Sequence, residues 1–250
     1  MMLHDKVALV TGAGQGVGQG IALALADQGA RVAVTGRTRE KLETTCELIA
    51  QRGGEALPVV CEVKSAESLQ QCLESVLQSF GGLQILVNNA QEVPLGTLEQ
   101  GSDASFTAGW ESGPLATFRM MKLCREHLQG DGCIINLASS AAKRWDMTGY
   151  GAYAATKEAI RSLTRAAACE WGGQGIRVNA ILPHATSPAL AWWIDNNPEE
   201  AAEFIATIPQ GRVGDCEQDL GRCVAMLCSD ASGYVNGQSI ALDGGQAYLG

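Results

Sequence analysis

Tyr153 and Lys157 stand four residues apart in Tyr153-Ala154-Ala155-Thr156-Lys157, and Ser139 follows the apolar run Ile134-Ile135-Asn136-Leu137-Ala138 upstream of them. These residues offer a phenol, an ammonium and a hydroxyl that could converge on one carbonyl oxygen. On a helix, residues four apart share a face, which places Lys157 one turn from the phenol. A free tyrosine titrates near pH ~10, so a fixed cation beside it is expected to favour the phenolate and make it a usable acid or base. The pair alone also fits an ordinary amphipathic helix with a packed Tyr and a solvated Lys.

The amino terminus supplies the context. Val7-Ala8-Leu9-Val10-Thr11 reads as a buried strand that runs into Gly12-Ala13-Gly14-Gln15-Gly16-Val17-Gly18 and then into a helix carrying Ile21–Ala26. Glycines let the backbone approach a diphosphate, and the helix start that follows offers unpaired N–H groups and a favourable dipole. The spacing is not GxGxxG, because Val17 or Gln19 falls where the third glycine belongs. It reads TGxxxGxG instead, with Thr11, Gly12, Gly16 and Gly18.

With Asn88-Asn89-Ala90, Ser139, and Tyr153 with Lys157 following in that order, the chain resembles a short-chain dehydrogenase/reductase. Arg177-Val178-Asn179-Ala180-Ile181-Leu182-Pro183, and Gly237-Gln238 followed by Asp243-Gly244-Gly245, extend the resemblance over nearly the whole length. It implies reversible hydride transfer between a nicotinamide and a substrate carbon. In that reading Tyr153 moves the proton, Ser139 steadies the oxygen, and Lys157 lowers the tyrosine's pKa and binds nicotinamide ribose. Ser139 fits the strand register, whereas the usual spacing to the tyrosine favours Ser140. Two alternatives stay open: atypical chemistry such as dehydration or epimerisation, and a weakly catalytic nucleotide-binding protein.

Strands are predicted near Val7–Thr11, Arg31–Thr35, Leu57–Val63, Ile85–Asn89, Cys133–Leu137, Ile176–Leu182 and Gln238–Leu242, alternating with helical segments. That pattern predicts one α/β domain over 1–250, a doubly wound Rossmann fold with helices on both faces of a parallel sheet. The resemblance implies seven strands in the order 3-2-1-4-5-6-7.

The second strand ends Val34-Thr35-Gly36-Arg37-Thr38, without the acid that would grip a free ribose diol. Gly36 leaves room and Arg37 can pair with a 2′-phosphate, so NADP(H) is preferred and NAD(H) remains possible. A second basic residue near Gln15 is missing from the turn. The expected cofactor contacts are Gly12, Gln15, Gly16, Val17, Gly18, Arg37, Glu62, Val63, Asn89, Ala90, Tyr153, Lys157 and Pro183. Glu62 stands where relatives carry Asp beside the adenine.

Two departures from the family pattern concern the catalytic end. Gln91 replaces the glycine after Asn-Asn-Ala, and Gly113 falls where the family carries a catalytic Asn whose role is to hold a water beside the lysine. Gly113-Pro114 predicts a helix kink, and the space left at Gly113 is expected to hold ordered water. Gln91, Ser139, Trp145, His184 and Trp192 are the candidates facing a substrate, a small-molecule carbonyl or alcohol of apolar or partly aromatic character. Trp192 and Trp193 cannot both face one way on a regular helix, so one is expected to line the pocket and the other to pack or meet a neighbouring subunit.

With 46% hydrophobic residues in 250, the chain can bury a large core without a second domain. Its apolar runs are far short of the ~20 residues that span a bilayer, and the net charge of −9 disfavours nucleic acid. Neither a membrane nor a nucleic-acid partner is therefore expected. Nine scattered cysteines lack metal or disulfide spacing, so buried thiols and no metal are predicted. Met1 to Lys6 lead almost directly into the first strand, without room for an export signal, and a cytoplasmic protein is expected. The resemblance implies a homotetramer, with Leu163 and Ala166-Ala167-Ala168 either at a contact or facing the sheet.

Overall fold

A computed structural model describes residues 1–144 and 148–247. Seven strands form one parallel sheet in the order β3-β2-β1-β4-β5-β6-β7: β1 (Val7–Thr11), β2 (Arg31–Gly36), β3 (Ala56–Val60), β4 (Ile85–Asn88), β5 (Gly132–Leu137), β6 (Ile176–Pro183) and β7 (Ser239–Leu242). The central strands are buried on both faces, which is why they read as continuous apolar runs. Alternate side chains divide between two cores. Ala8, Val10, Ile85, Val87 and Ile135 face helices α1 (Gly16–Asp27), α2 (Arg39–Gln51) and α9 (Arg222–Cys228). Leu9, Leu86 and Ile134 face α3 (Ala66–Phe80), α5 (Ala116–Cys124) and α6 (Gly151–Trp171).

The strand order reverses between β1 and β4, and the crevice that opens there beyond the carboxyl ends of the strands is where this architecture holds ligands. Two side chains lock it. The Asn89 amide donates to the carbonyls of Thr11 and Gly12 at 2.8 and 3.0 Å, and Thr11 Oγ1 accepts from the N–H groups of Asn89 and Ala90. Deeper, Asn88 donates to Asn136, which donates to Thr164 of α6 at 2.9 Å, so one buried chain ties β4 and β5 to the helix bearing Tyr153.

β3 ends three residues earlier than the apolar run suggests. Cys61 N still donates to Gly36 O, but β2 offers no further partner and Glu62 N turns to Ser68 Oγ instead. Glu62 and Val63 therefore sit on a loop at the cleft. Between α4 (Asp103–Trp110) and α5, where Gly113-Pro114 predicted a kink, Glu111–Leu115 form one π-helical turn. The wider turn absorbs the donor that Pro114 lacks.

All nine cysteines are free thiols. Cys61, Cys72, Cys124, Cys133 and Cys228 are buried, while Cys169 is exposed. Ala167 and Ala168 face the core and Ala166 faces outward. No helix among the described residues is long and apolar enough to cross a membrane, and among them no group of His, Cys, Asp or Glu is arranged to hold a metal ion.

Candidate active site

The glycine turn shapes one end of a cleft of about 480 Å³. Gly12 has φ +65°, a conformation open to glycine, and a Cβ at Gly18 would strike the Gly12 carbonyl. Gln15, the residue before α1, makes no side-chain cap, and the first turn of the helix contains no acid. Its leading N–H groups are thus free to meet an anion, and the residues present fit the diphosphate of a dinucleotide. Gly12, Gln15, Gly16, Val17, Gly18, Arg37, Glu62, Val63, Asn89 and Ala90 all line this cleft. Tyr153, Lys157 and Pro183 do not, and Pro183 closes β6 beside Leu242.

At the far end of the turn, Arg37 lies 3.3 Å from Glu92 and 3.9 Å from Glu62, while Lys64 lies 2.9 Å from Glu92. The basic residue missing from the turn is supplied by a different element. Lys41, in the first turn of α2, places its ammonium 2.6 Å from Gln15 Oε1 and lines the cleft. Its position just past β2 is the signal that sequence reasoning passed over, because a helix entering beside the turn brings its first residues back to it.

A second group of residues, outside the lining of that cleft, is built on β5 and α6. Ser139 follows β5, its Oγ accepting from Ala141 N and lying near enough to Tyr153 to favour the phenolate. Ser140 turns away and donates to Asp243 at 2.9 Å, a buried tie to the end of β7. Lys157 lies one helical turn from Tyr153, with Nζ 5.4 Å from the ring centroid and donating to Leu137 O at 2.6 Å. Helix and strand end thus bring the three together, but the electrostatics differ from expectation. Burial pushes the Tyr153 phenol up to about 12, with Tyr150 adding to the rise and the Ser139 hydroxyl opposing it. Burial also brings Lys157 down to about 7. The lysine is itself desolvated, and a half-discharged ammonium cannot outweigh the loss of water around the phenol.

The space at Gly113 is not open for water. A Cβ there would lie 2.7 Å from both Cδ and Nε2 of Gln91, whose side chain fills the site and donates to Thr156 Oγ1 at 2.6 Å. The expectation of a water-filled gap is corrected: two departures from the family pattern occupy one volume.

Of the other substrate candidates, His184 lines a separate hollow of about 360 Å³ with Arg212, Asp219 and Asp243. Its ring packs edge-on against Phe204, its Nδ1 is buried without a partner, and burial lowers its pKa. Trp193 packs on the same phenylalanine, whereas Trp192, on α7 (Pro188–Asn196), is 65% exposed. Trp145 lies outside the described residues.

A family profile described as enoyl-(acyl carrier protein) reductase matches residues 12–247. The chain belongs to the short-chain dehydrogenase/reductase family. It is 36% identical to a 12α-hydroxysteroid dehydrogenase of a Clostridium species, over 98% of this chain and 97% of that one. A short-chain dehydrogenase/reductase of Serratia marcescens superposes with a TM-score of 0.92 at 29% identity, over 99% of this chain and all of that one. An actinorhodin polyketide ketoreductase solved with NADPH gives 0.90 at 29% identity, covering 96% and 97%. The chain is an NAD(P)-dependent oxidoreductase that interconverts carbonyls and alcohols.

Proposed function

We propose that this enzyme reduces the carbonyl of a bulky, apolar cyclic substrate with NADPH, Tyr153 delivering the proton. The observation that carries the reading is the contact of Tyr153 with Ser139, one helical turn from Lys157, at the carboxyl end of β5. The nicotinamide cofactor supplies the hydride when bound. A phenol held near 12 stays protonated at neutral pH, which suits an acid that gives its proton to a developing alkoxide. Ser139 donates a second hydrogen bond to the same oxygen, and the charged form of Lys157 steadies the phenolate left behind.

The preference for NADPH rests on Arg37 and Lys41, two cations at the end of the cleft where no acid closes β2. The substrate class rests on exposed apolar side chains. Val93 lines the cleft, Leu98 packs over Gly151 at the start of the Tyr153 helix, and Trp192 stands open on α7. The names of two relatives, a hydroxysteroid dehydrogenase and a polyketide ketoreductase, support a bulky substrate.

The nine free thiols suit a reducing compartment, and we place the enzyme in the cytoplasm. Phe106 and Trp110 stack in the open on α4, and Phe118 is 45% exposed on α5. This is apolar surface suited to the homotetramer that the family resemblance implies.

The test is turnover of NADPH and NADH against polycyclic ketones, small ketones and an enoyl thioester, for wild type and Tyr153→Phe. NADPH-dependent reduction of the ring ketones, lost in the variant, is the expected result. Reduction of the enoyl thioester alone overturns the reading.

A further inference from the structure

Gln91 does something that filling space does not require. Its Nε2 reaches Thr156 Oγ1 at 2.6 Å, and that hydroxyl donates onward to the backbone carbonyl of Tyr153 at 2.7 Å. A hydrogen-bonded tether therefore runs from the loop after β4 into the turn of α6 that holds both Tyr153 and Lys157. Thr156 is fully buried, so water cannot substitute for the amide. The same carboxamide leaves Oε1 buried and without a partner. An orphaned acceptor destabilises a fold, whereas a methionine would fill this volume without one. The volume exists because residue 113 is glycine, since a Cβ there would meet the Gln91 amide at 2.7 Å.

We infer that Gln91 is a positioning residue for the proton-transfer turn, acting through Thr156, and that Gly113 is its obligate partner, the two forming one interlocked unit contributed by separate elements. The inference rests on the proposed role of Tyr153. The amide fixes the Tyr153 carbonyl, and with it the first turn of α6, so that the phenol keeps its place beside Ser139 while Lys157 stays anchored to Leu137 O. A loose turn would let the phenol wander by fractions of an ångström, enough to slow proton delivery with little effect on binding.

Two sets of variants test this. Gln91→Met and Thr156→Val each remove the tether and keep the bulk, and each is expected to lower kcat about 10-fold, with the dissociation constant for NADPH changed less than about twofold. The double variant should match the single ones and not multiply them, because one tether is cut either way. The melting temperature of Gln91→Met should not fall. Wild-type kcat in Gln91→Met, or losses that multiply, would overturn the positioning role. Gly113→Asn should lower both melting temperature and kcat by collision with Gln91. Adding Gln91→Gly should restore both, since Asn then supplies a carboxamide from the helix side. Losses that simply add would break the pairing. If wild type turns over no carbonyl, the functional reading fails separately, and the melting-temperature cycle of residues 91 and 113 still decides whether they are interlocked.

Discussion

At the Arg37 end of the cleft, two carboxylates and three ammonium or guanidinium groups share open water. Arg37 is 64% exposed between Glu62 and Glu92, Lys64 leans on Glu92, and Lys41 reaches over to Gln15. At the Tyr153 end a single lysine is buried with a backbone carbonyl as its partner, beside a phenol that burial holds protonated. In water each ion pair is worth little, so selectivity at the first end is a sum of small terms that substitution can tune. In the interior each group carries a large desolvation penalty, so charge at the second end costs stability.

The contrast breaks most visibly at the phenol. Tyr153→Phe should lower turnover by about 10³-fold or more while NADPH binding survives, because the transferable proton alone is lost. Turnover near wild type in that variant removes Tyr153 from the mechanism. Ser139→Ala should cost about 10²-fold in kcat. Ser140→Ala should leave kcat nearly intact and lower the melting temperature, since its hydroxyl serves Asp243. The reverse pattern would exchange the two serines.

Lys157 sharpens the comparison through stability. Its pKa is about 7 in the fold against 10.5 for the free group, so between those values the unfolded chain binds a proton that the folded chain does not. Stability therefore rises with pH across that window, and the full penalty, at most about 5 kcal/mol, applies below pH 7. Lys157→Met should lower turnover by about 10²-fold yet raise the melting temperature at pH 6, with the gain fading toward pH 10.5. A variant less stable than wild type at pH 6 would show that the ammonium is well solvated or paired.

The same contrast governs what the sequence disclosed. Strands such as β1 and β5 were legible because burial on both faces leaves apolar runs, and the approach of Lys157 to Tyr153 was legible because helical spacing alone sets it. The end of β3 was overrun, because the apolar pattern continues through Cys61 and Val63 after β2 has no more partners to give. Lys41 was passed over because its place beside Gln15 depends on how α2 enters next to the turn. The interlock of Gln91 with Gly113 is a fit between elements 22 positions apart, and neither residue alone announces it. The direction of the Tyr153 shift was misjudged for a related reason: sequence shows the neighbouring charge and hides the burial that outweighs it.

Arg37→Ala should weaken NADPH about 10-fold, and Lys41→Ala by several-fold, with NADH nearly unchanged in both. Fluorescence titration of the two cofactors measures this. Equal loss for both cofactors would assign these cations to the shared diphosphate and not to a 2′-phosphate.

The smallest effect is the most informative about the exposed end. Glu92 stands 3.3 Å from Arg37 and 2.9 Å from Lys64, so its carboxylate has two possible effects on a phosphate arriving there. It repels the incoming charge, and it braces the arginine in a fixed direction. For exposed groups the Coulomb term is modest and a long side chain keeps its freedom, so repulsion should win by a small margin. Glu92→Gln is therefore expected to tighten NADPH about threefold, leave NADH unchanged, and lose most of its effect in about 0.5 M salt, where the screening length falls to a few ångströms. The glutamine keeps a hydrogen-bond acceptor for Lys64, which limits any change in local structure to the charge. Weaker NADPH binding at every salt concentration would mean that the brace matters more than the repulsion, and that the exposed end depends on fixed geometry as the buried end does.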